Sequence, residues 1–216
     1  MPHIYLDDLI KRGAMLIALL FWAGSALAIE LNPAQQPIQQ TSDKLYQILQ
    51  TDREALQNDR QLVLRLVDEV VEPHVDFDRV SALVLGKHWR SAAPQQREAF
   101  KEAFKALLVN TYATAFTEFT EWSVHFLPMT LEQGTKKVIV KTQVIQPGAP
   151  PVAVDYRMRL SKEGRWQMYD VIIEGISMVT NYRTGFAQQI KQSGGLDALI
   201  AELNSRHALR LAKSDE

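Results

Sequence analysis

The sequence contains no cysteine. Disulfide bonds, catalysis by a thiolate and zinc sites with cysteine ligands are therefore excluded. The absence leaves the compartment open, because chains without cysteine suit both the cytosol and an oxidising periplasm.

Neither sign of charge is in excess. The 216 residues include 24 Lys and Arg against 25 Asp and Glu, which gives a formal net charge of −1. A nucleic-acid-binding protein usually carries a basic stripe, so we expect no nucleic-acid partner. With 46% hydrophobic and 23% charged residues, the composition is typical of one globular domain with a sizeable core.

Motifs of common enzymes are missing as well. There is no Gly-x-Ser-x-Gly elbow, Walker loop or dinucleotide-binding fingerprint. We therefore predict no catalytic residue, no metal site and no cofactor. The five histidines are scattered without metal-ligand spacing: His3, His74, His88, His125 and His207.

Two aspartates, Asp155 and Asp170, are the only carboxylates on the later strands that an enzyme could use as a general base. We expect Asp170, Glu174 and Arg183 to form a buried or half-buried ionic cluster, because an unpaired buried charge would cost several kcal/mol. Our preferred interpretation of both aspartates is an ion pair with a nearby arginine: Arg157, Arg159 or Arg183.

The N-terminus has the features of a Sec-type signal peptide. The basic pair Lys11-Arg12 precedes an apolar run over residues 14–23, and Ala26-Leu27-Ala28 follows with small residues at the positions that signal peptidase reads. An uncleaved membrane anchor is the alternative, but it needs about 20 apolar residues and this run is shorter. We predict a signal peptide over residues 1–28, cleavage after Ala28 and a periplasmic location.

Composition divides the rest of the chain into three parts. Residues 29–40 are rich in Pro and Gln and are expected to be a disordered lead-in. Residues 41–204 are predicted to form a single domain, since no linker is long enough to divide them. Residues 205–216 are expected to be a frayed, charged tail.

Apolar residues recur at helical spacing on both sides of the later strands. The pattern predicts one helix from Ser42 or Asp43, a second that opens at Asp59, and a third that is capped by Asp76 or Asp78 and ends at Gly86. These helices are interpreted as plain core or as a wall for a ligand.

A longer helix begins at Pro94, a residue that the first helical turn tolerates. Its stripe of large apolar residues is usual for core packing, and it also suits a wall facing a cavity. Two more helices, separated by Gly194-Gly195, follow the strands. The stripe comprises Phe100, Phe104, Leu107, Leu108 and Tyr112.

Four strand-like runs lie between these helices, and turn residues separate them. Short connections predict an antiparallel meander with the helices on one face. The fold class is therefore α+β, a curved antiparallel sheet of about four strands packed on N- and C-terminal helices as a cone. The predicted strands are Trp122 to Leu127, Lys137 to Ile145, Val152 to Leu160 and Trp166 to Ile173.

Two blocks of sequence resemble one known family. The first is Leu85-Gly-Lys-x-Trp-Arg90 followed by Pro94-x-Gln-Arg97, and the second is Tyr169-Asp-Val-x-Ile-Glu-Gly-x-Ser177 followed by Asn181-Tyr-Arg-x-x-Phe186. Together they resemble the MlaC family of periplasmic phospholipid-shuttle proteins, also called the toluene-tolerance family. The resemblance runs from about Asp76 to Leu203.

The resemblance implies an NTF2-like cone with an apolar cavity and a non-enzymatic carrier of diacyl phospholipid. It implies two partners, an outer-membrane lipoprotein complex and an inner-membrane ABC transporter complex with a lipid-binding ring, and a role in outer-membrane lipid asymmetry. It also marks Tyr182 and Arg183, which are expected to contact phosphate at the cavity mouth or to hydrogen-bond to the sheet.

A lipid carrier needs an apolar interior. Exposing two acyl tails of about 15 methylenes each to water would cost on the order of 24 kcal/mol. The alternative function is an NTF2-like hydrolase or isomerase that acts on a hydrophobic small molecule. The predicted lipid-binding residues are Phe100, Phe104, Leu108, Tyr112, Val140, Val144, Val154, Tyr156, Met158, Leu160, Tyr169, Val171, Val179, Tyr182 and Arg183.

Overall fold

The structure is a computed structural model that describes residues 31–118 and 121–214. Side chains are described except at residues 60, 113–118 and 209–214. The predicted signal peptide, residues 1–28, lies outside the described residues. Among the described residues, none of the helices combines the length and the apolar character that crossing a membrane would need.

Helices precede and follow the strands in the sequence. A π-helical turn, Val67–Val71, and a 3-10 turn, Glu72–His74, separate the third and fourth of them. The helices are α1 (Gln36–Thr51), α2 (Arg53–Asn58), α3 (Arg60–Leu66), α4 (Phe77–Leu85), α5 (Lys87–Ser91), α6 (Pro94–Glu118), α7 (Met178–Ser193) and α8 (Leu196–Ser214).

Side-chain caps fix several helix ends where the sequence predicts them. Asp59 accepts a hydrogen bond from the Leu62 amide at 2.9 Å, and Asp76 accepts one from the Arg79 amide at 3.0 Å. Each satisfies an amide that has no partner within the helix. Gly86 ends α4 with a φ of +56°, a value that favours glycine.

Within the described residues, five antiparallel strands form one sheet in the order β1-β2-β3-β4-β5. This confirms the α+β class and the antiparallel meander. Three strands have the predicted bounds, β1 is shorter than predicted, and β5 was missed because two residues are too few to show an alternating pattern. The strands are β1 (Ser123–Phe126), β2 (Lys137–Ile145), β3 (Val152–Leu160), β4 (Trp166–Ile173) and β5 (Ile176–Ser177).

The described part of the predicted disordered lead-in is ordered, so that prediction is wrong from Asn32 on. A turn leads into α1 at Gln36, and Ala34 and Ile38 are 0% and 5% exposed. Both pack in the sheet core, which is the cluster Ala34, Ile38, Val140, Met158 and Trp166. Proline is tolerated in a first helical turn, so a Pro- and Gln-rich composition does not exclude a helix here.

The predicted frayed tail is helical as far as Ser214, which corrects that prediction for residues 205–214. The side-chain amide of Asn110 on α6 and Nδ1 of His207 are 2.7 Å apart, and Asn110 is buried. This contact holds the last turns of α8 against α6. Such a partner lies about a hundred residues away and leaves no local signal in the sequence.

A lysine ties the irregular segment before α4 to the long helix. Lys105 on α6 donates to Asp68 and Glu72, both at 3.1 Å, and pairs with Glu102 at 3.2 Å. Burial alone lowers the pKa of Lys105, but the hydrogen bonds that it donates to these carboxylates outweigh the burial and raise the pKa above that of an ordinary lysine. The cation therefore holds the π-helical turn in place.

Two more clusters of buried residues lie within the part of the chain that the structure describes. One of them joins the N-terminal helices to α6 through Leu49, Leu56, Val63 and Val109. The helical core, formed by α4, α6, α7 and α8, is the larger one. It comprises Val80, Val84, Leu85, Phe100, Ala103, Phe104, Phe186, Ile190, Leu199, Ile200 and Leu203.

Candidate functional site

One face of the sheet points toward the interior, and we call it the core face. On β2 it carries Val138, Val140, Thr142 and Val144, which are buried or half-buried, whereas the residues between them are exposed. Directly opposite residues of neighbouring strands share a face, so the register extends the core face to the other strands.

Part of the core face is covered only incompletely. At its centre Val140 and Met158 are 0% exposed. Toward one end, five apolar side chains are only half-buried although they share the same face, and we call them the inner patch. The register makes them neighbours, since it pairs Val144 with Val152 and Val154 with Ile173. The inner patch is Val144, Val152, Val154, Val171 and Ile173.

A second half-buried group lies where α7 begins, directly after β5. The Tyr112 hydroxyl on α6 donates to Sδ of Met178 at 3.5 Å. The ring of Tyr182 meets that of Phe104 edge-on with a centroid distance of 5.1 Å. Burial raises the pKa of Tyr182 to about 12, and a hydrogen bond with Tyr112 acts in the same direction. The group is therefore apolar apart from the two tyrosine hydroxyls.

The predicted aromatic stripe on α6 lies deeper than a cavity wall would. Phe100 and Phe104 are 0% and 1% exposed and stack on each other at 5.6 Å. Both also meet Phe186 edge-on, at 5.8 and 5.7 Å. Their surroundings are protein atoms of the helical core, as in an ordinary core stripe.

The remaining predicted site residues divide among these groups, and their contact with lipid stays a prediction. Burial also raises the pKa of Tyr156 to about 12. Leu108, Tyr169, Val179 and Tyr182 pack against the helical core. Val140 and Met158 belong to the sheet core, and Tyr156 and Leu160 pack against it. The inner patch contains Val144, Val154 and Val171.

Asp170 joins the sheet to the first turn of α7. Its side chain is 1% exposed and accepts from Arg157 at 3.0 Å, from the Ser177 hydroxyl at 2.7 Å and from the Val179 amide at 3.0 Å. The predicted ion pair with a nearby arginine is confirmed for Asp170. Three donors hold its two oxygens in place, so the carboxylate suits a structural role.

The predicted ionic cluster is wrong in its other members. Glu174 lies at the tip of the β4–β5 turn and does not contact Asp170. Its carboxylate accepts a hydrogen bond from the Ala153 amide on β3. Arg183 is exposed and forms neither an ion pair nor a hydrogen bond to the sheet within the part of the chain that the structure describes. Its guanidinium lies instead beside Gly86.

A different aspartate pairs with the second arginine of β3. Arg159 donates to Asp76, the residue that caps α4. Asp155 makes no ion pair among the described residues, so its predicted pairing is not found. The sequence gives no signal for this pair, because Asp76 lies more than eighty residues from Arg159 and only the folded chain brings the two together.

Nothing in the described residues forms a metal centre, since no group of three or more His, Asp or Glu side chains could hold an ion there. The residues that sequence reasoning missed are Val152 and Ile173 of the inner patch and Met178 at the start of α7. Val152 and Ile173 belong to predicted strands, and their place in the patch follows from the register.

The chain is similar in sequence and in fold to known proteins. The MlaC protein family matches residues 39–205. A curated relative from Haemophilus influenzae, the intermembrane phospholipid transport system binding protein MlaC, is 26% identical over 169 residues, which cover 77% of this chain and 78% of the relative. Toluene tolerance protein ttg2D from Pseudomonas putida is 24% identical over 195 residues, with coverage of 89% and 88%.

A similar solved structure is that of the phospholipid-binding protein from Ralstonia solanacearum in complex with a phospholipid. The TM-score is 0.75 and the sequence identity is 31%. The match covers 82% of this chain and 97% of that one.

Proposed function

The chain belongs to the MlaC family, and we propose that it is a phospholipid carrier whose inner patch contacts the acyl chains. The observation that supports this most directly is the incomplete cover of that patch. Five aliphatic side chains share a face with fully buried Val140 and Met158, yet protein atoms cover them only in part. An acyl chain would complete the cover.

The energetics favour such an occupant. Each methylene removed from water contributes about 0.8 kcal/mol, and each half-buried valine or isoleucine gains further burial when a hydrocarbon chain lies on it. The same interaction makes release into water prohibitive. We therefore propose that lipid is transferred only when the carrier is docked at a membrane complex.

The resemblance to the MlaC family supplies the setting of this proposal. The partners are an outer-membrane lipoprotein complex and an inner-membrane ABC transporter complex with a lipid-binding ring, and the role is the maintenance of outer-membrane lipid asymmetry. The signal-peptide pattern of residues 1–28 supports a periplasmic location. The relatives with phospholipid in their names support the cargo.

We propose that the protein has no catalytic role. The buried carboxylate at the strand–helix joint, Asp170, is already engaged by Arg157, Ser177 and the Val179 amide. A general base needs a lone pair that is free to accept a proton from substrate. These three donors and the burial of Asp170, which is 1% exposed, oppose its use as a base in the enzyme alternative.

The test is the lipid content of the purified protein. Organic extraction and mass spectrometry should recover diacyl phospholipid in near-stoichiometric amount. Val154→Trp fills the inner patch and should lower the recovered lipid severalfold. Ile139→Trp is the matched control, because Ile139 lies on the exposed face of β2 and is 46% exposed. Leu160 is less suitable for this test, since it packs on the sheet core.

Two results would contradict the proposal. One is wild-type protein that carries no phospholipid and takes up none from vesicles. The other is a Val154→Trp variant that melts at the wild-type temperature and still retains a full complement of lipid, which would exclude the inner patch as the contact surface.

A further inference from the structure

A single row of side chains crosses the sheet on its core face. The register pairs Phe126 with Thr142, Thr142 with Val154, Val154 with Ile173, and Ile173 with Ile176. The row therefore takes one residue from each of the five strands. It passes through two members of the inner patch and ends at β5.

From Thr142 to the β5 end of this row, exposure increases. Thr142 is 1% exposed, Val154 and Ile173 are half-buried, and Ile176 is 63% exposed. That is the highest exposure among the large apolar side chains that the structure describes as exposed. The core face thus continues without a break from the buried centre of the sheet to solvent at the β5 edge.

The one polar member of the row does not interrupt its apolar character. The Thr142 hydroxyl donates to the carbonyl oxygen of Val154 at 2.6 Å. Because this bond satisfies the hydroxyl within the sheet, Thr142 has no need of water or of a polar ligand. A hydrocarbon chain that lies along the row would therefore leave no buried donor without a partner.

The exposed position of Ile176 is fixed by its neighbours on both sides. Glu174 and Gly175 have φ values of +48° and +81°, as a tight type I′ turn requires. The Glu174 amide donates to the Ala153 carbonyl at 2.9 Å, and Ser177 donates to Asp170. A non-glycine residue at positive φ is uncommon. The turn is thus built to present Ile176 and is not a loosely solvated loop.

We propose that Ile176 marks the edge across which acyl chains reach and leave the inner patch. This inference rests on the proposed carrier function and adds its route. A tail that leaves a membrane complex first meets Ile176, then Ile173 and Val154, so that each step along the row replaces contacts with water by apolar contacts. The occupant is the acyl chain itself.

The test compares two exposed isoleucines on the same sheet. Ile176→Ser shortens the row, and Ile139→Ser makes the same chemical change on the exposed face of β2. Fluorescent phospholipid transfer from vesicles to the protein, and back, should be slowed roughly fivefold or more by Ile176→Ser, because the apolar contact at the start of the route is lost. Ile139→Ser should transfer lipid at the wild-type rate.

The amount of lipid bound at equilibrium shows whether Ile176 belongs to the entry route or to the binding site. This amount should stay at the wild-type value in Ile176→Ser, because the inner patch is intact. Ile176→Leu keeps an apolar side chain at this position and should transfer lipid at the wild-type rate. Equal rates in Ile176→Ser and wild type would overturn the inference, and so would equal slowing by Ile139→Ser. If wild-type protein took up no lipid at all, the carrier function itself would fail.

Discussion

The guanidinium of Arg183 lies against the bare backbone of Gly86, so that a Cβ atom on Gly86 would come within 3.0 Å of Arg183 Nε. Gly86 joins α4 to α5, and Arg183 belongs to α7. The relationship brings together one residue from each of the two sequence blocks that carry the family resemblance.

We expect Gly86→Ala to destabilise the protein by about 1–3 kcal/mol, because its φ of +56° is strained for any residue with a Cβ. Adding Arg183→Ala should recover only a small part of this loss, since the exposed guanidinium can move aside. Urea unfolding of the single and double variants measures the stability lost in Gly86→Ala and the part that Arg183→Ala recovers. Full recovery in the double variant would show that the contact, and not the backbone, sets the cost.

Asp170→Ala should cost about 2–4 kcal/mol of unfolding free energy, because it leaves the Ser177 hydroxyl, the Val179 amide and Arg157 without their partner. Arg157 is partly exposed and can rehydrate, which limits the loss. Chemical denaturation provides the measurement.

Arg206→Ala is the control for that experiment, since its ion pair with Glu202 lies at the surface. Exposed pairs contribute about 0–1 kcal/mol, so this variant should remain close to wild type. A loss in Asp170→Ala no larger than the loss in Arg206→Ala would mean that the joint between β4 and α7 does not depend on the buried carboxylate.

Tyr156 should make stability fall at alkaline pH. Burial raises its pKa to about 12, above the ordinary value of about 10 in the unfolded chain. Between about pH 10 and 12, Tyr156 ionises readily only in the unfolded chain, and this ionisation favours unfolding. The contribution of Tyr156 to the unfolding free energy is therefore complete below about pH 10 and is lost as the pH rises toward 12. Unfolding free energies measured over this range should fall less steeply in Tyr156→Phe than in wild type. Parallel curves would contradict the shifted pKa.

Local patterns predicted most of the sheet. The bounds of β2 and β3 follow from alternating apolar residues, and those of β4 follow from its β-branched and aromatic residues. Asp59 and Asp76 cap helices at the positions that their side chains favour. The two-residue β5 has no such pattern. The helix over Gln36–Thr51 was placed too late, because burial of Ala34 and Ile38 depends on a sheet that lies a hundred residues further along the chain.

The candidate site was predicted in part for the same reason. Val144, Val154 and Val171 were selected from their strands and lie in the inner patch, whereas Phe100 and Phe104 lie in a closely packed core. A helical stripe indicates which side chains turn inward. It does not indicate whether other protein atoms fill the space in front of them.

The sequence by itself determined the four longer strands, the caps at Asp59 and Asp76, and the family, because strand-forming runs, capping residues and motif blocks are properties of neighbouring positions. The tertiary structure alone decided which apolar residues remain partly uncovered, that Asp170 pairs with Arg157, and that Arg183 stays free of the predicted cluster. Burial and ion pairing depend on atoms from distant parts of the chain, and those distances exist only after folding.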